Sequence, residues 1–358
     1  MQGSTANWTE EALDGLGGSF ASAAEAIGGV SDDRYSIAGA TVALRFASPA
    51  LRERLTPAFA HLAARSGAEA SAPALTVYLW DAASTATEPP PRPAVPDDQA
   101  EGALYHFHEP PLRAAYQPGL ETLSVFDSRE GTAWHWVADA SDQPYWDQAC
   151  PIRQVLFWWL GSRNYLQVHG AAIGTPAGGA LVVGKAGSGK STVALASLDS
   201  ELLYAGDDYV AVTLGASPRI QSLYSSAKIE PEHVRTLLPH LLPAVANRDR
   251  LDEEKAVIYV EEHFPERVTS GFPLRAVLVP KVRATRAKTR VVETSRAAAF
   301  AALAPSTILQ LHTAGPDAFA TMSRLVRRVP CFGLELGSDI PTIPQAVVDL
   351  LSGLPTSQ

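Results

Sequence analysis

The sequence predicts an α/β protein, with an N-terminal α+β domain in residues 1–150 and a phosphate-binding α/β domain in residues 151–358. Three observations support this prediction. A glycine-rich segment, GKAGSGKS at residues 184–191, separates an apolar strand pattern from a helical one. Paired aspartates follow the next apolar segment. The first 150 residues contain several short strand-like segments but no comparable motif.

The N-terminal domain is predicted from hydrophobic spacing. Residues 35–47 alternate as a strand does, and residues 51–64 have helical spacing. A further strand is predicted at residues 74–80, before a proline-rich loop at residues 88–98. Three more strand-like segments follow, at residues 102–107, 122–126 and 133–137. A helix at residues 151–165 then leads into the second domain.

Composition excludes several classes of protein. Residues 1–150 contain 8 Arg, no Lys and 20 Asp or Glu, and the remainder carries a net charge of +3. The overall charge of −9 argues against general binding of nucleic acid. No apolar stretch reaches the ~20 residues of a membrane helix, and the N-terminus does not resemble a signal peptide. Two cysteines form neither a disulfide framework nor a metal site, so we expect a cytoplasmic location.

The glycine-rich segment predicts a phosphate-binding P-loop, because it lies between an apolar strand and a helix. Glycines 184, 187 and 189 allow backbone N–H groups to turn toward phosphate oxygens. Lys190 can reach the β- and γ-phosphates of ATP, and the Ser191 hydroxyl can bind Mg²⁺. The predicted nucleotide-binding residues are Gly184, Lys185, Ala186, Gly187, Ser188, Gly189, Lys190, Ser191 and Thr192.

The second half of the predicted site is the pair Asp207 and Asp208, which lies 17 and 18 residues after Lys190. If their strand lies beside the P-loop strand, its end presents a carboxylate to the phosphates. Strand alternation would point the two side chains to opposite faces, which allows one to serve Mg²⁺ and the other to accept a proton. The alternative is a surface turn, where Gly-Asp-Asp is common.

Three other residues are weaker candidates. His169 can approach the phosphates if its strand borders the P-loop strand, although a lone histidine is usually structural. Lys228 can contact a phosphate or an acidic substrate, or it can be a solvated surface lysine. Lys255 lies among acidic residues and can simply pair with them at the surface.

This half of the chain resembles the HPr serine kinase family, and more closely its shorter relatives in peptide-modification gene clusters. The resemblance rests on His169-Gly170, on GKAGSGKS and on the GDDY segment at residues 206–209. It implies the P-loop kinase fold shared with phosphoenolpyruvate carboxykinases. It also implies that Lys190 holds phosphates, that Ser191 and one aspartate hold Mg²⁺, and that His169 neighbours the transferred phosphate. We favour Asp207 as the base and Asp208 as the metal ligand, with the reverse order open.

The chain departs from HPr kinases after the aspartates, where their glycine-rich Ile-Glu-Val-Arg-Gly pattern is replaced by LYSSAKIE at residues 223–230. The longer segment at residues 222–304, which contains LYSSAKIE, is similar to the cluster-associated kinases, which resemble enzymes that phosphorylate a serine at the tail of a lasso-peptide precursor. The resemblance therefore implies an ATP- and Mg²⁺-dependent serine kinase acting on a peptide. Two alternatives remain open: a kinase of a free small molecule, and a non-catalytic ATP-binding regulator. The oligomeric state is not predicted.

Overall fold

A computed structural model describes residues 10–64, 72–91, 105–109, 111–283, 285–310 and 316–355. The chain forms two compact units. The first comprises Met1–Pro57 and Leu62–Ser162, and the second comprises Ala58–His61 and Arg163–Gln358. Both contain helices and sheets, so the predicted mixed α/β class is confirmed.

The first unit is built on a seven-stranded sheet with the order β1-β2-β3-β7-β6-β5-β4. Only the β2–β3 and β3–β7 pairs are parallel. Helix α1 packs Leu16 and Phe20 against Trp80 and Trp136 of the sheet. The elements are β1 Ser31–Ile37, β2 Ala40–Phe46, β3 Leu75–Asp81, β4 Tyr105–Glu109, β5 Leu112–Gln117, β6 Thr122–Asp127 and β7 Thr132–Val137, with α1 Glu10–Ala26, α2 Pro49–Leu55, α3 Ala82–Thr85, α4 Tyr145–Gln148 and α5 Arg153–Ser162.

Two predictions in this unit were wrong in detail. The single strand predicted at residues 35–47 is a hairpin, because Ala38 and Gly39 adopt φ values of 49° and 74° and turn the chain. The helix predicted at residues 51–64 ends at Leu55 and continues as a 3₁₀ helix, Thr56–Leu62. The proline-rich loop at residues 88–98 lies mostly outside the described residues, as does the start of the strand predicted at residues 102–107.

The second unit contains one large mixed sheet and a separate two-stranded sheet, β13–β14. Its elements are β8 Tyr165–Thr175, β9 Gly178–Val183, β10 Leu203–Gly206, β11 Tyr209–Thr213, β12 Arg219–Ser222, β13 Ser226–Ile229, β14 Ala256–Tyr259, β15 Gly271–Val282, β16 Arg290–Glu293 and β17 Cys331–Leu336, with α6 Lys190–Ala196, α7 Pro231–Leu237, α8 Val260–His263, α9 Arg296–Gln310, α10 Pro316–Arg328 and α11 Thr342–Gly353.

Strand β9, which leads into the glycine-rich loop, is central in this sheet. It pairs with β8 on one side and, in parallel, with β15 on the other. Strands β8 and β15 are long enough to pair with further strands, so that β8, β11, β12, β15 and β9 close a ring. Strand β10 pairs with β8 and not with β9. The strand that leads to the aspartates therefore does not lie beside β9, which was the placement that the predicted site assumed, but is separated from it by β8.

Alternation along β9 divides the second unit into layers. Ala180 and Val182 face a core that includes α6 and α11, whereas Leu181 and Val183 face a core that includes α9 and α10. All four side chains are fully buried. Because helices cover both faces of the sheet at β9, side chains on either face of this strand are buried, and the strand is apolar at every position.

A short piece of the first half of the chain belongs to the second unit. Within the 3₁₀ helix Thr56–Leu62, the Ala58 carbonyl accepts a hydrogen bond of 2.9 Å from the Ser225 N–H. The Phe59 ring lies 5.5 Å from the ring of Tyr224. His61 Nε2 lies 2.6 Å from the Ser222 hydroxyl. The segment thus packs along residues 222–225, immediately before β13.

Candidate active site

The glycine-rich segment forms a compact loop between β9 and α6. Gly187 and Gly189 have φ values of 74° and 103°, in the left-handed region that favours glycine. The Ser188 N–H donates to the Lys185 carbonyl at 3.2 Å, which closes a turn inside the loop. Thr192 is buried in the first turn of α6, and Ser191 is half-buried. The predicted sequence of strand, loop and helix is present.

Lys190 lies under this loop and is 7% exposed. Its ammonium donates to the Gly184 carbonyl at 2.8 Å and to the Lys185 carbonyl at 3.4 Å. Burial lowers the pKa of Lys190, while the charges of Asp207 and Asp208 act in the opposite direction. The charges of the lysine and of both carboxylates are therefore close enough to influence one another.

The two aspartates directly follow β10, in the turn between β10 and β11. The Tyr209 N–H donates to the Asp207 carbonyl, and the Gly170 N–H donates to the Asp208 carbonyl, each at 2.9 Å. Asp208 has a φ of 66°, which is uncommon for a residue other than glycine. This turn, and not strand alternation, directs the two side chains to different partners.

Asp207 is the inner carboxylate, with no exposed surface. Its Oδ2 accepts a hydrogen bond of 3.3 Å from the Lys228 N–H, and its Oδ1 is buried with no hydrogen-bond partner among the described residues. Burial raises the pKa of Asp207, and the charge of Asp208 adds to this effect. The Ser191 hydroxyl and the Lys190 ammonium lie close enough to offset part of the rise.

Asp208 is the outer carboxylate, and its side chain is 18% exposed. Lys228 Nζ lies 2.5 Å from its Oδ2, and His169 Nε2 lies 3.4 Å from its Oδ1. Burial acts to raise the pKa of Asp208, but Lys228 and His169 outweigh burial and hold the pKa well below its ordinary value. The two adjacent carboxylates therefore differ sharply in proton affinity.

His169 lies on β8, which borders β9, the strand that leads into the loop. The sequence made this neighbouring position the condition for a role of His169 near the phosphates. Gly170 pairs with Val183, the last residue of β9, so His169 lies next to the start of the loop. Its backbone N–H donates to the Thr307 hydroxyl at 3.3 Å. The His169 ring also packs against Tyr209, with 5.4 Å between ring centroids.

The two remaining lysine candidates, Lys228 and Lys255, differ in their exposure to solvent and in their partners. Lys228 is in the site, and its side chain is only 12% exposed. The sequence alone does not distinguish it from a solvated lysine, because its position depends on the long-range pairing of β13 with β14. Lys255 forms an ion pair of 2.9 Å with Glu230, in which both side chains are about half exposed. Lys255 therefore pairs with an acidic residue at the surface, as one interpretation of the sequence predicts, while its charge also acts on Lys190.

The residues present fit ATP and Mg²⁺. A hydroxyl and a carboxylate oxygen are the hard ligands that Mg²⁺ prefers, and Mg²⁺ at phosphate sites typically takes only one or two carboxylates from the protein. Ser191 and the unpartnered Oδ1 of Asp207 provide such a pair. Among the described residues there is no group of three or more His, Cys, Asp or Glu placed to hold a metal on its own.

Comparison with known proteins gives little further information. No protein-family model matches the chain, and no curated protein matches it. Among solved structures, the Hpr(Ser) kinase/phosphatase from Coxiella burnetii aligns at 12% sequence identity, over 52% of this chain and 95% of that one. The TM-score is 0.29, too low to support either fold or function. In the described parts of the chain, no helix combines the length and apolarity needed to cross a membrane.

Proposed function

We propose that this protein is an ATP- and Mg²⁺-dependent kinase that transfers the γ-phosphate to a serine hydroxyl. The observation that carries the proposal is the pair of carboxylates of opposite character next to a P-loop lysine. A protein that only bound nucleotide would have little use for a second, ionised carboxylate beside the metal ligand. Phosphoryl transfer to a hydroxyl uses both, one for the metal and one for the hydroxyl proton.

The sequence favours Asp207 as the base and Asp208 as the metal ligand, but the environments of the two side chains support the reverse assignment. Asp207 lies by Ser191, so these two side chains would hold Mg²⁺, which offsets phosphate charge when bound. Asp208 is partly exposed and ionised, so it would face the acceptor. The loop N–H groups and Lys190 would hold the phosphates, with residues 184–192 around them.

In the proposed step the acceptor oxygen attacks the γ-phosphorus, and its proton passes to the Asp208 carboxylate. The bond between the γ-phosphorus and the bridging oxygen breaks, and ADP leaves with that oxygen. His169 holds the Asp208 carboxylate on the side away from Lys228 and would lie beside the transferred group. Electrostatic positioning of this kind supplies most of the catalysis in phosphoryl transfer.

For the acceptor we propose a serine at the tail of a ribosomal, lasso-type precursor peptide. This proposal rests on the resemblance of residues 222–304 to the cluster-associated kinases. The first unit would recognise the peptide or mediate association, and the enzyme would act in the cytoplasm. No nucleic acid or membrane partner is proposed.

The test is mass spectrometry of candidate acceptors incubated with ATP and Mg²⁺. The acceptors are serine-ended precursor peptides, free serine and a blank without acceptor. Wild type is compared with Asp207→Asn, Asp208→Asn and the matched control Asp199→Asn, whose carboxylate is 54% exposed and pairs with His240. A peptide heavier by one phosphoryl group, lost in the first two variants and retained in the third, is the expected result.

Other outcomes separate the alternatives. A phosphorylated small molecule without a peptide product would replace the peptide with a free metabolite as the acceptor. Bound nucleotide without any phosphorylated product would indicate a regulatory ATP-binding protein and would contradict the kinase proposal.

A further inference from the structure

Lys228 has no role in the reaction as described so far, yet it contacts both aspartates. Its backbone N–H donates to Asp207, and its ammonium lies 2.5 Å from Asp208. The side chain is 12% exposed, although lysine is rarely withdrawn from water to this extent without a specific reason.

The backbone of Lys228 is fixed while the side chain is long. Strand β13 pairs with β14 through four residue pairs, and the Tyr204 hydroxyl donates to the Ser226 carbonyl at 2.7 Å. The base of the side chain is therefore held beside the carboxylates. Four methylene groups then allow the ammonium to exchange one anionic partner for another nearby.

The γ-phosphate brings negative charge to a site in which two lysines already face two carboxylates. Lys190 and Lys228 together carry two positive charges, and Asp207 and Asp208 carry two negative charges when ionised. Lys190 is already bonded to carbonyls beneath the loop. The γ-phosphate adds negative charge beside Asp208, and Lys228 is the cation placed next to that carboxylate.

Building on the proposed kinase function, we propose that Lys228 is a catalytic residue that binds the γ-phosphate of ATP and releases the Asp208 carboxylate as it does so. In the absence of ATP, the ion pair keeps Asp208 occupied. When ATP binds, the ammonium moves to the γ-phosphate oxygens, and Asp208 becomes free to accept the hydroxyl proton. ADP has no γ-phosphate and leaves the Lys228–Asp208 pair in place.

The test compares binding of the magnesium complexes of ADP and of a non-hydrolysable ATP analogue by isothermal titration calorimetry. Lys228→Met is expected to weaken binding of the analogue about 10- to 100-fold, as for loss of a charged hydrogen bond. Binding of ADP is expected to change less than about 3-fold, because a contact confined to the γ-phosphate contributes nothing to it. The matched control Lys255→Met removes a surface lysine that is paired with Glu230 and whose charge also acts on Lys190, so any change it causes should affect both nucleotides by the same factor.

A second pair of variants keeps the test valid if Lys228→Met folds poorly. Asp208→Asn removes the carboxylate charge that holds the Lys228 ammonium, and should strengthen binding of the analogue relative to ADP. The double variant Lys228→Met/Asp208→Asn removes both charges of the pair, and should lose that gain. Comparing the two single variants with the double variant separates the contribution of Lys228 to binding of the analogue from the effect of losing the Asp208 charge.

The outcomes distinguish this inference from the function on which it rests. If wild type binds neither nucleotide, the proposed function fails and the role of Lys228 fails with it. If wild type binds both, and loss of Lys228 weakens both equally or neither, then Lys228 is a structural partner of Asp208 and only the present inference is overturned.

Discussion

Replacing Asp207 with Asn is expected to stabilise the unliganded protein, although it removes a proposed magnesium ligand. The carboxyl group is fully buried, one oxygen has no hydrogen-bond partner among the described residues, and Asp208 is adjacent in the chain. Burial raises the pKa of Asp207, so the ionised form destabilises the folded state at neutral pH. Asparagine keeps the shape of the side chain without its charge.

The size of the effect follows from the burial. Each tenfold rise in the proton affinity of the buried carboxyl destabilises the folded protein at neutral pH by about 1.4 kcal/mol, and asparagine removes this effect of the charge. For a unit of this size, each kcal/mol corresponds to about 2–4 °C in Tm. For one such tenfold rise we therefore expect Asp207→Asn to raise the Tm by about 3–6 °C at neutral pH, with chelator present to remove divalent metal.

The expected pH dependence has a definite sign. Because the pKa is raised in the folded protein, the wild-type carboxyl regains its proton as the pH falls toward its ordinary value of 3.8. The stability difference between variant and wild type is then largest at neutral pH and shrinks on acidification. Differential scanning calorimetry at several pH values measures it.

The neighbouring substitution Asp208→Asn is the matched comparison and should have the opposite sign. The lowered pKa of Asp208 means that its ionised form stabilises the fold above pH 3.8, through Lys228 and His169. Removing that charge leaves the Lys228 ammonium largely buried beside a neutral group, and we expect a lower Tm by a similar amount. A rise in Tm for both variants, or a fall for both, would refute the distinction between the two carboxylates.

Three other predictions concern the loop and the segment at residues 58–61. Lys190→Met should reduce the affinity for ADP at least about tenfold in calorimetry, because it removes a charged phosphate contact; unchanged affinity would contradict the P-loop assignment. Ser191→Ala should raise the Mg²⁺ concentration needed for half-maximal phosphoryl transfer about tenfold, and an unchanged Mg²⁺ titration would exclude the hydroxyl as a ligand. Burial lowers the pKa of His61 to about 3, so wild-type stability should fall as the pH drops from 6.5 toward 3. His61→Gln can retain the hydrogen bond to Ser222 and should flatten that part of the curve, whereas parallel Tm profiles would show that His61 is not the titrating group.

The sequence could predict the parts of the site that depend on local chemistry. Gly187 and Gly189 are needed where φ is positive, and the apolar run before them is a strand buried on both faces. Lys190 and Ser191 follow from these positions along the chain. These features are encoded within a few residues of one another, so pattern and geometry agree.

Features that depend on contacts between distant parts of the chain could not be predicted from local sequence patterns. The order of β10, β8 and β9 is set by the pairing of a long strand with three partners, which no local pattern specifies. The environments of Asp207 and Asp208 depend on Lys228, some 20 residues further along the chain. The reversed roles that we now propose for the two aspartates follow from that distant contact.

The residues Ala58–His61 also restrict how this protein can be divided. The chain passes from the first unit to the second after Pro57, returns after His61 and passes again after Ser162. A fragment that starts at residue 163 would leave the Ser225 N–H without its Ala58 acceptor and would uncover the ring of Tyr224. No single cut or gene fusion point therefore yields an intact second unit, and a minimal fragment would have to supply residues 58–61 as a separate peptide or through a redesigned connection.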